Sequence, residues 1–377
     1  KTKVEIVSPS YYLKERIGKD LHYTNISVTT LLTNLLTEAG VTNATVPTIS
    51  TVLPAFTNTY DSDTTYHEII YSLLFDYGYG FRFDETGQFV CFELFPTTIT
   101  SSHTFNKNTN TIEEISQKVQ EETYYETVVK WIGTKTLTDA TIFSDTSNAT
   151  TTSSCVLTIP PASYLELEED ETEYYCEYEH PDGEILSATN ITLDITKHAD
   201  ISVSKFEPSY SRALLSLYNN NTVYSRDVTK LNIKATTCVV KTAERQTRVV
   251  KVDDTNKIYE YDAQFIYDKT SASTLANGLA WYFANTDYVY QLQSYDDIAL
   301  NTIVTIEAAG GSILARVVEK SVTADGLFAY YLEAVANYIA VTASTEVSKS
   351  QPIPPAVVPV DVGPTIATVT AGLNADG

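Results

Sequence analysis

The chain is short of cations. It sets 25 Lys and Arg against 48 Asp and Glu, for a formal net charge of −23. A surface that acidic repels phosphate backbones and anionic lipid, which argues against a protein that grips nucleic acid in a sequence-specific way. It leaves open a surface past which nucleic acid slides without adhering, with plain solubility as the bland alternative. Cysteine is also scarce. Cys91, Cys155, Cys176 and Cys238 lie far apart with no CxxC pair. They read as four reduced, mostly buried thiols, with one or two disulfides left open. No apolar run approaches the ~20 residues of a membrane span, and no signal peptide is visible. There is no methionine in 377 residues, and the chain opens at Lys1 in what reads as mid-protein sequence. The expectation is a fragment of a longer protein, or a sequence from which modified methionines were dropped.

Catalytic patterns are missing as well. The five histidines, His22, His67, His103, His180 and His198, form no HExxH, HxH or His/Cys cluster of the kind that holds zinc. No GxSxG, P-loop or GxGxxG occurs. Cys176 and His180 fall in one region, but acidic surroundings raise a thiol pKa and disfavour the nucleophilic thiolate. Asp61 and Asp63, followed by Thr64 to Tyr66, lack the Gly and terminal Glu of an EF-hand. Between Glu166 and Glu184 stand ten carboxylates and no Lys or Arg. Paired carboxylates serve glycoside hydrolysis and hard oxygens hold calcium, yet neither pattern is defined here. A solvated acidic loop is the favoured reading. No catalytic, cofactor-binding or metal residue is assigned, and no cofactor is expected.

What the chain does have is structural periodicity. Three segments share the spacing i, i+3, i+4, i+7, i+8, i+11 of a helix packed on one side. They run Val28, Leu31, Leu32, Leu35, Leu36, Ala39; Tyr66, Ile69, Ile70, Leu73, Leu74, Tyr77; and Ala272, Leu275, Ala276, Leu279, Ala280, Phe283. Ser27 is an N-cap type for the first, and Gly40 a natural C′ residue. Thr65 and Glu68 form a capping box on the second, which ends at Gly78. Both the starts and the terminal glycines of these two helices are offset by the same spacing, which raises a duplicated unit as one reading and two unrelated helices as the other.

The remainder alternates like β-strand. Tyr79 to Phe83 and Phe89 to Leu94 read as a hairpin about Asp84-Glu85-Thr86-Gly87. Ile112–Gln120 reads as a short helix or irregular chain, Tyr124–Ile132 as a strong strand, and the Thr, Ser, Asp and Asn-rich stretch 133–154 as a loop. Short strands at Val156–Ile159, Glu173–Tyr178, Ile185–Ile195, Leu214–Tyr218 and Val228–Ile233 suggest a small β-sandwich. Strands at Thr247–Val252, Lys257–Phe265, Tyr288–Ser294, Thr302–Ala308, Ser312–Val318 and Phe328–Tyr338 suggest an antiparallel meander with the third helix docked across it, closing as a barrel. A Pro-rich linker begins at Gln351. The 27 tyrosines suit surfaces buried against another chain, though strand propensity accounts for part of the excess.

The fold class expected is mainly β with docked helices (α+β). Residues 1–123 form a helix-and-hairpin unit that begins with the end of a truncated first barrel. Residues 124–154 and 236–340 form a tube-like barrel, and 155–235 are an inserted sandwich. Residues 341–377 form a linker and the start of a further module.

This order of parts resembles the baseplate hub, or tail-associated, proteins of bacteriophage tails and related injection systems. The resemblance is carried by the helix Ser27–Gly40, the hairpin Tyr77–Leu94 (YGYGFRFDETGQFVCFEL), the strand Tyr124–Trp131 (YYETVVKW) and the block from Ala272 (ASTLANGLAWYF) to Tyr338. It covers roughly residues 1–340. It implies a homotrimeric ring in a virion tail tip. There the protein would link the tail tube, or a distal tail protein, to fibre modules, with a tape-measure protein nearby and DNA passing through the channel. It implies a structural protein and not an enzyme. Two departures are expected: the first tube-like barrel would precede residue 1, and 155–235 would interrupt the second. The alternatives are a cell-surface adhesin of β-sandwich domains and a carbohydrate-active enzyme working through residues 166–184.

Overall fold

The computed structural model describes residues 9–59, 63–84, 86–96, 99–106, 116–119, 124, 126–145, 157–162, 173–250, 257–285, 288–308, 311–335 and 344–347. After a 3-10 turn (Pro9–Lys14), β1 (Leu21–Ser27) passes directly into α1 (Val28–Glu38). β2 (Ala44–Thr45) and β3 (Val52–Asn58) precede α2 (Tyr66–Asp76), and the hairpin β4 (Tyr79–Phe83) and β5 (Phe89–Glu93) follows it. The two helices form where the sequence places them. Ser27 caps α1 by accepting from the Thr30 N–H, and Thr65 and Glu68 close a reciprocal capping box on α2. Gly40 and Gly78 end them with φ of +79°, a conformation open to glycine at little cost. Val28, Leu31, Leu32, Leu35 and Leu36 of α1 pack with Ile69, Ile70, Leu73 and Leu74 of α2, and Phe89 closes the same core. Each such side chain contributes about 1.5–3 kcal/mol by leaving water. β1 and β3 pair antiparallel, so each helix is preceded by one strand of a shared two-stranded sheet. β1 abuts α1 whereas a connection separates β3 from α2, so the strands do not keep the spacing of the helices.

The chain continues through β6 (His103–Asn106), β7 (Ser116–Val119), β8 (Glu126–Trp131), β9 (Thr134–Asp145), β10 (Leu157–Ile159), β11 (Glu173–Glu177), β12 (Ile185–Lys197), β13 (Ile201–Pro208), β14 (Arg212–Asn219) and β15 (Arg226–Lys241). Two expectations fail here. Residues 134–145 are a long strand and not a loop, and 116–119 are a strand and not a helix. β9 is polar because one face looks outward, while Ala140 and Ile142 point into a core. Its stability comes from pairing with β15, a tertiary contact that composition does not register.

β15 is the axis of a sandwich. β12 pairs along one side of it, and β9 and β10 along the other. A second sheet, in the order β11–β14–β13, closes over it on Ile201, Ala213, Leu215 and Leu217. Level with Thr236 the flanking strands carry left-handed residues, Asp139 (φ 51°) and Asn190 (φ 50°), which bend the sheet at that line.

The last part holds β16 (Arg245–Val250), β17 (Ile258–Asp262), α3 (Lys269–Asn285), β18 (Tyr288–Ser294), β19 (Ile303–Ala308), β20 (Gly311–Val322), β21 (Phe328–Ala334) and β22 (Ser344–Val347). These strands fall into two sheets. One runs β17–β8–β16–β22, with β17 parallel to β8. The other runs β6–β19–β20–β21–β18–β7, with β6 parallel to β19. The expected all-antiparallel meander is therefore mixed at one edge. α3 docks across strands of the expected meander: Ala272, Leu275, Ala276 and Leu279 pack on Val129, Trp131 and Val249 of the four-stranded sheet. Tyr282, through its hydroxyl to Glu333 (3.2 Å), also reaches the six-stranded one.

β8 and β9 follow one another, as do β15 and β16, so the four-stranded sheet and the sandwich are joined by one antiparallel ribbon. At its bend the Thr242 N–H donates to the Gly133 carbonyl at 2.8 Å. A Cβ at Gly133 would fall on the Ala243 carbonyl oxygen and the Thr242 hydroxyl. Gly133→Ala is expected to lower unfolding stability by about 1–3 kcal/mol, the usual cost of overpacking against backbone. A lower urea midpoint with an unchanged m-value is the readout.

Candidate functional site

The residues singled out by chemistry are scattered. His22 donates or accepts through Nδ1 at Thr57 Oγ1 (2.8 Å) and stacks on Tyr210, with centroids 3.6 Å apart. His67 lies edge-on to Phe81 on the face of α2. His103 Nε2 is 3.2 Å from Asp296 Oδ2. His180 and His198 each accept, at Nδ1, the backbone N–H two residues on, from Asp182 and Asp200. Among the described residues no three His, Cys, Asp or Glu side chains stand together as a metal site. Cys91, Cys176 and Cys238 are free thiols, and Cys155 lies outside the described residues. Burial pushes Cys91 up to about 12 and, with help from the Asp145 charge, Cys176 to about 11. Both stay protonated at neutral pH, so Cys176 is no nucleophile for His180 to activate.

The acidic stretch is only partly a loop. Residues 166–172 lie outside the described residues, as does Asp61 of the two aspartates weighed as an EF-hand. The other, Asp63, pairs with Arg16 at 3.2 Å on the surface. Glu173–Glu177 is β11, an edge strand whose glutamates point outward. On the following turn Asp182 binds Lys135 at 2.6 Å, and that hydrogen bond holds its carboxyl below the usual range.

Two buried polar junctions tie the layers instead. The first is Asp76 at the end of α2, 1% exposed. It accepts from Tyr261 Oη (2.8 Å) and from the N–H groups of Gln264 (2.9 Å) and Phe265 (2.7 Å). The second joins Arg316 and Glu333, cross-strand partners on β20 and β21. Arg316 donates to the Leu94 carbonyl (2.9 Å) and Glu333 accepts from Tyr282. Burial lowers the Arg316 pKa and raises that of Glu333. α3 is thereby wedged between the sheets, with Gly278 against the Phe95 ring.

A cleft remains where the β1–β3 sheet meets the sandwich. It encloses about 500 Å³ and is lined by His22, Thr57, Tyr178, Glu179, Glu184 and Tyr210, among others. A second hollow of about 730 Å³ shares His22, Tyr178, Glu179 and Tyr210. Tyr178 is 9% exposed, and burial pushes its hydroxyl up to about 12. Burial also lowers the His22 pKa, so both groups are neutral at pH 7. Tyr178 Oη and His22 Nε2 are buried with no hydrogen-bond partner among the described residues. Sequence reasoning missed this place. Its parts come from residues near 22, 57, 179 and 210, and no local motif joins them.

Asp76 makes stability depend on pH. Burial lifts its pKa from 3.8 to about 6, against the hydrogen bonds that favour the ion. The unfolded chain releases this proton near 3.8 and the folded chain only near 6. The folded state holds more protons across that window, so this group's contribution falls as pH rises through it. Asp76→Ala should cost about 1–3 kcal/mol, because three donors lose their acceptor. Asp76→Asn should keep the fold, with Oδ1 accepting both N–H groups and Nδ2 donating to Tyr261, and should flatten the pH dependence. Urea unfolding across this pH range reads both.

No family model matches the chain, and no curated protein matches it. Three solved structures resemble it over most of its length. The virion of a native gene transfer agent particle is 8% identical at a TM-score of 0.43, over 85% of this chain and 50% of that one. A tail protein from Neisseria meningitidis MC58 is 6% identical at 0.45, over 88% and 73%. A 43 kDa tail protein of prophage MuSo2 from Shewanella oneidensis is 8% identical at 0.41, over 87% and 71%. The chain thus spans half the length of the first and about seven tenths of the others. At these identities and scores the likeness carries neither a family assignment nor a function.

Proposed function

We propose that the chain is a structural component of a phage-type tail tip, a baseplate hub that joins the tail tube to distal modules. The observation that supports this most is how the six-stranded sheet buries its face. Its core consists of Phe105, Tyr290, Leu292, Val304, Ile306, Ala315, Val317, Tyr330, Leu332 and Ala334, one alternating set drawn from five of its own strands. A flat sheet cannot cover one face with its own side chains, whereas a sheet curled toward a barrel can. Among the described residues its edge strands β6 and β7 are not paired with each other. Open edges invite continuation by a neighbouring copy, and cyclic symmetry closes such a contact into a ring.

On this reading three copies form a ring beneath the tail tube, and the sandwich, which takes in β9 and all of β15 as well as the expected 155–235, projects from it as an insertion. The net charge of −23 then lets DNA pass through a lumen without adhering, because a phosphate contact needs a cation. The chain acts by fit and not by catalysis. Electron microscopy of the full-length protein with its tail tube is the test. Threefold rings with a pore wide enough for a duplex are expected. Extended monomeric rods would favour an adhesin. Hydrolysis of cell-wall glycans lost on Glu→Gln changes between 173 and 184 would overturn the structural role.

A further inference from the structure

We infer that the cleft between the β1–β3 sheet and the sandwich binds the guanidinium of an arginine presented by a partner polypeptide. The inference rests on the cleft alone and holds whether or not the tail reading does. Tyr178 Oη and His22 Nε2 are buried without partners, and an unsatisfied buried polar atom costs about 1–3 kcal/mol. Tyr178 Oη can accept a hydrogen bond, and so can His22 Nε2 in the tautomer whose Nδ1–H donates to the Thr57 hydroxyl. The 500 Å³ lining adds the Glu179 and Glu184 carboxylates and no Lys or Arg. Glu184 lies 3.8 Å from the Lys241 amine, which leaves Glu179 as the carboxylate for an incoming cation.

The wall also carries an aromatic face. Tyr210 is stacked on His22 and 45% exposed, and its ring borders both hollows. A planar guanidinium stacks on such a ring and offers five N–H donors in a fixed fork, enough to reach several acceptors at once. An ammonium does neither as well, and an anion meets the Glu179 and Glu184 carboxylates. Both orphaned atoms are shielded in the free chain, so on this inference the entering side chain shifts the exposed Tyr210 ring to reach them. The two hollows share His22, Tyr178, Glu179 and Tyr210, and the guanidinium is inferred to sit among these four.

Calorimetric titration of the full chain tests this. The probes are the pentapeptide Gly-Gly-Arg-Gly-Gly, its lysine counterpart, spermidine and a neutral disaccharide. Saturable binding of the arginine peptide is expected with Kd at or below about 1 mM, and roughly tenfold weaker binding of the lysine peptide. Tyr178→Phe and Glu179→Gln should each weaken the arginine peptide roughly tenfold. Tyr178→Phe should leave the thermal midpoint of the free protein unchanged or higher, because the hydroxyl it removes has no partner there. No saturable binding, equal binding of the lysine peptide or spermidine, preference for the disaccharide, or binding indifferent to both variants overturns the inference. So does a lower midpoint for Tyr178→Phe.

Discussion

The antiparallel ribbon formed by β8–β9 against β16–β15 is the constraint on which the other parts depend. Its one half pairs Glu126–Trp131 with Arg245–Val250, and its other half pairs Thr134–Asp145 with Leu231–Lys241. The sandwich and the four-stranded sheet both grow from it. β12 and β10 extend it into the sandwich, β17 and β22 extend it into the four-stranded sheet, and α3 lies on that sheet's face. Inside the ribbon Trp131 Nε1 donates to Thr247 Oγ1 at 3.1 Å, and Arg248 pairs with the buried Glu126 at 2.9 Å. Because the ribbon runs from one unit into the other, β8 to β9 and β15 to β16, the bend at Gly133 lies at their junction.

The polar junctions then lock the remaining layers onto this frame. Asp76 fastens α2 to the chain entering α3, and Arg316 fastens the six-stranded sheet to the end of the hairpin. Arg82 reaches the Leu300 carbonyl from the hairpin's other strand. Such groups are costly to bury unless all their bonds are made, and they hold a single arrangement for that reason. Joints of this kind suit a part that must hold a fixed geometry.

The helices were legible because a core stripe, a cap and a terminal Gly are local signals. All three lie within 11 to 17 residues of sequence. Four strands of the six-stranded sheet, β18 to β21, were legible for the same reason, since Tyr330, Leu332 and Ala334 alternate on one strand, whereas its edge strands β6 and β7 were not. β9 was not, because its Thr and Asp residues form an outward face and its stability lies in a partner almost a hundred residues on. The docking of α3 was legible only as far as the meander, because an amphipathic stripe says that a helix is covered and not by which of the two sheets. Asp76 carries no local signal of its role, because Tyr261 and the two N–H groups it accepts from lie far along the chain. The cleft about His22, Tyr178 and Tyr210 left no trace in the sequence, as its residues meet only through the packing of two units.

Native-state hydrogen exchange across the ribbon tests this account most directly. If the ribbon is one structural unit, the amides of β8, β9, β15 and β16 exchange together, at the slowest rate in the molecule, and slow equally on both sides of Gly133. If β9 and β15 exchange with the sandwich while β8 and β16 keep a separate rate, the two halves open independently and the shared ribbon does not govern the fold.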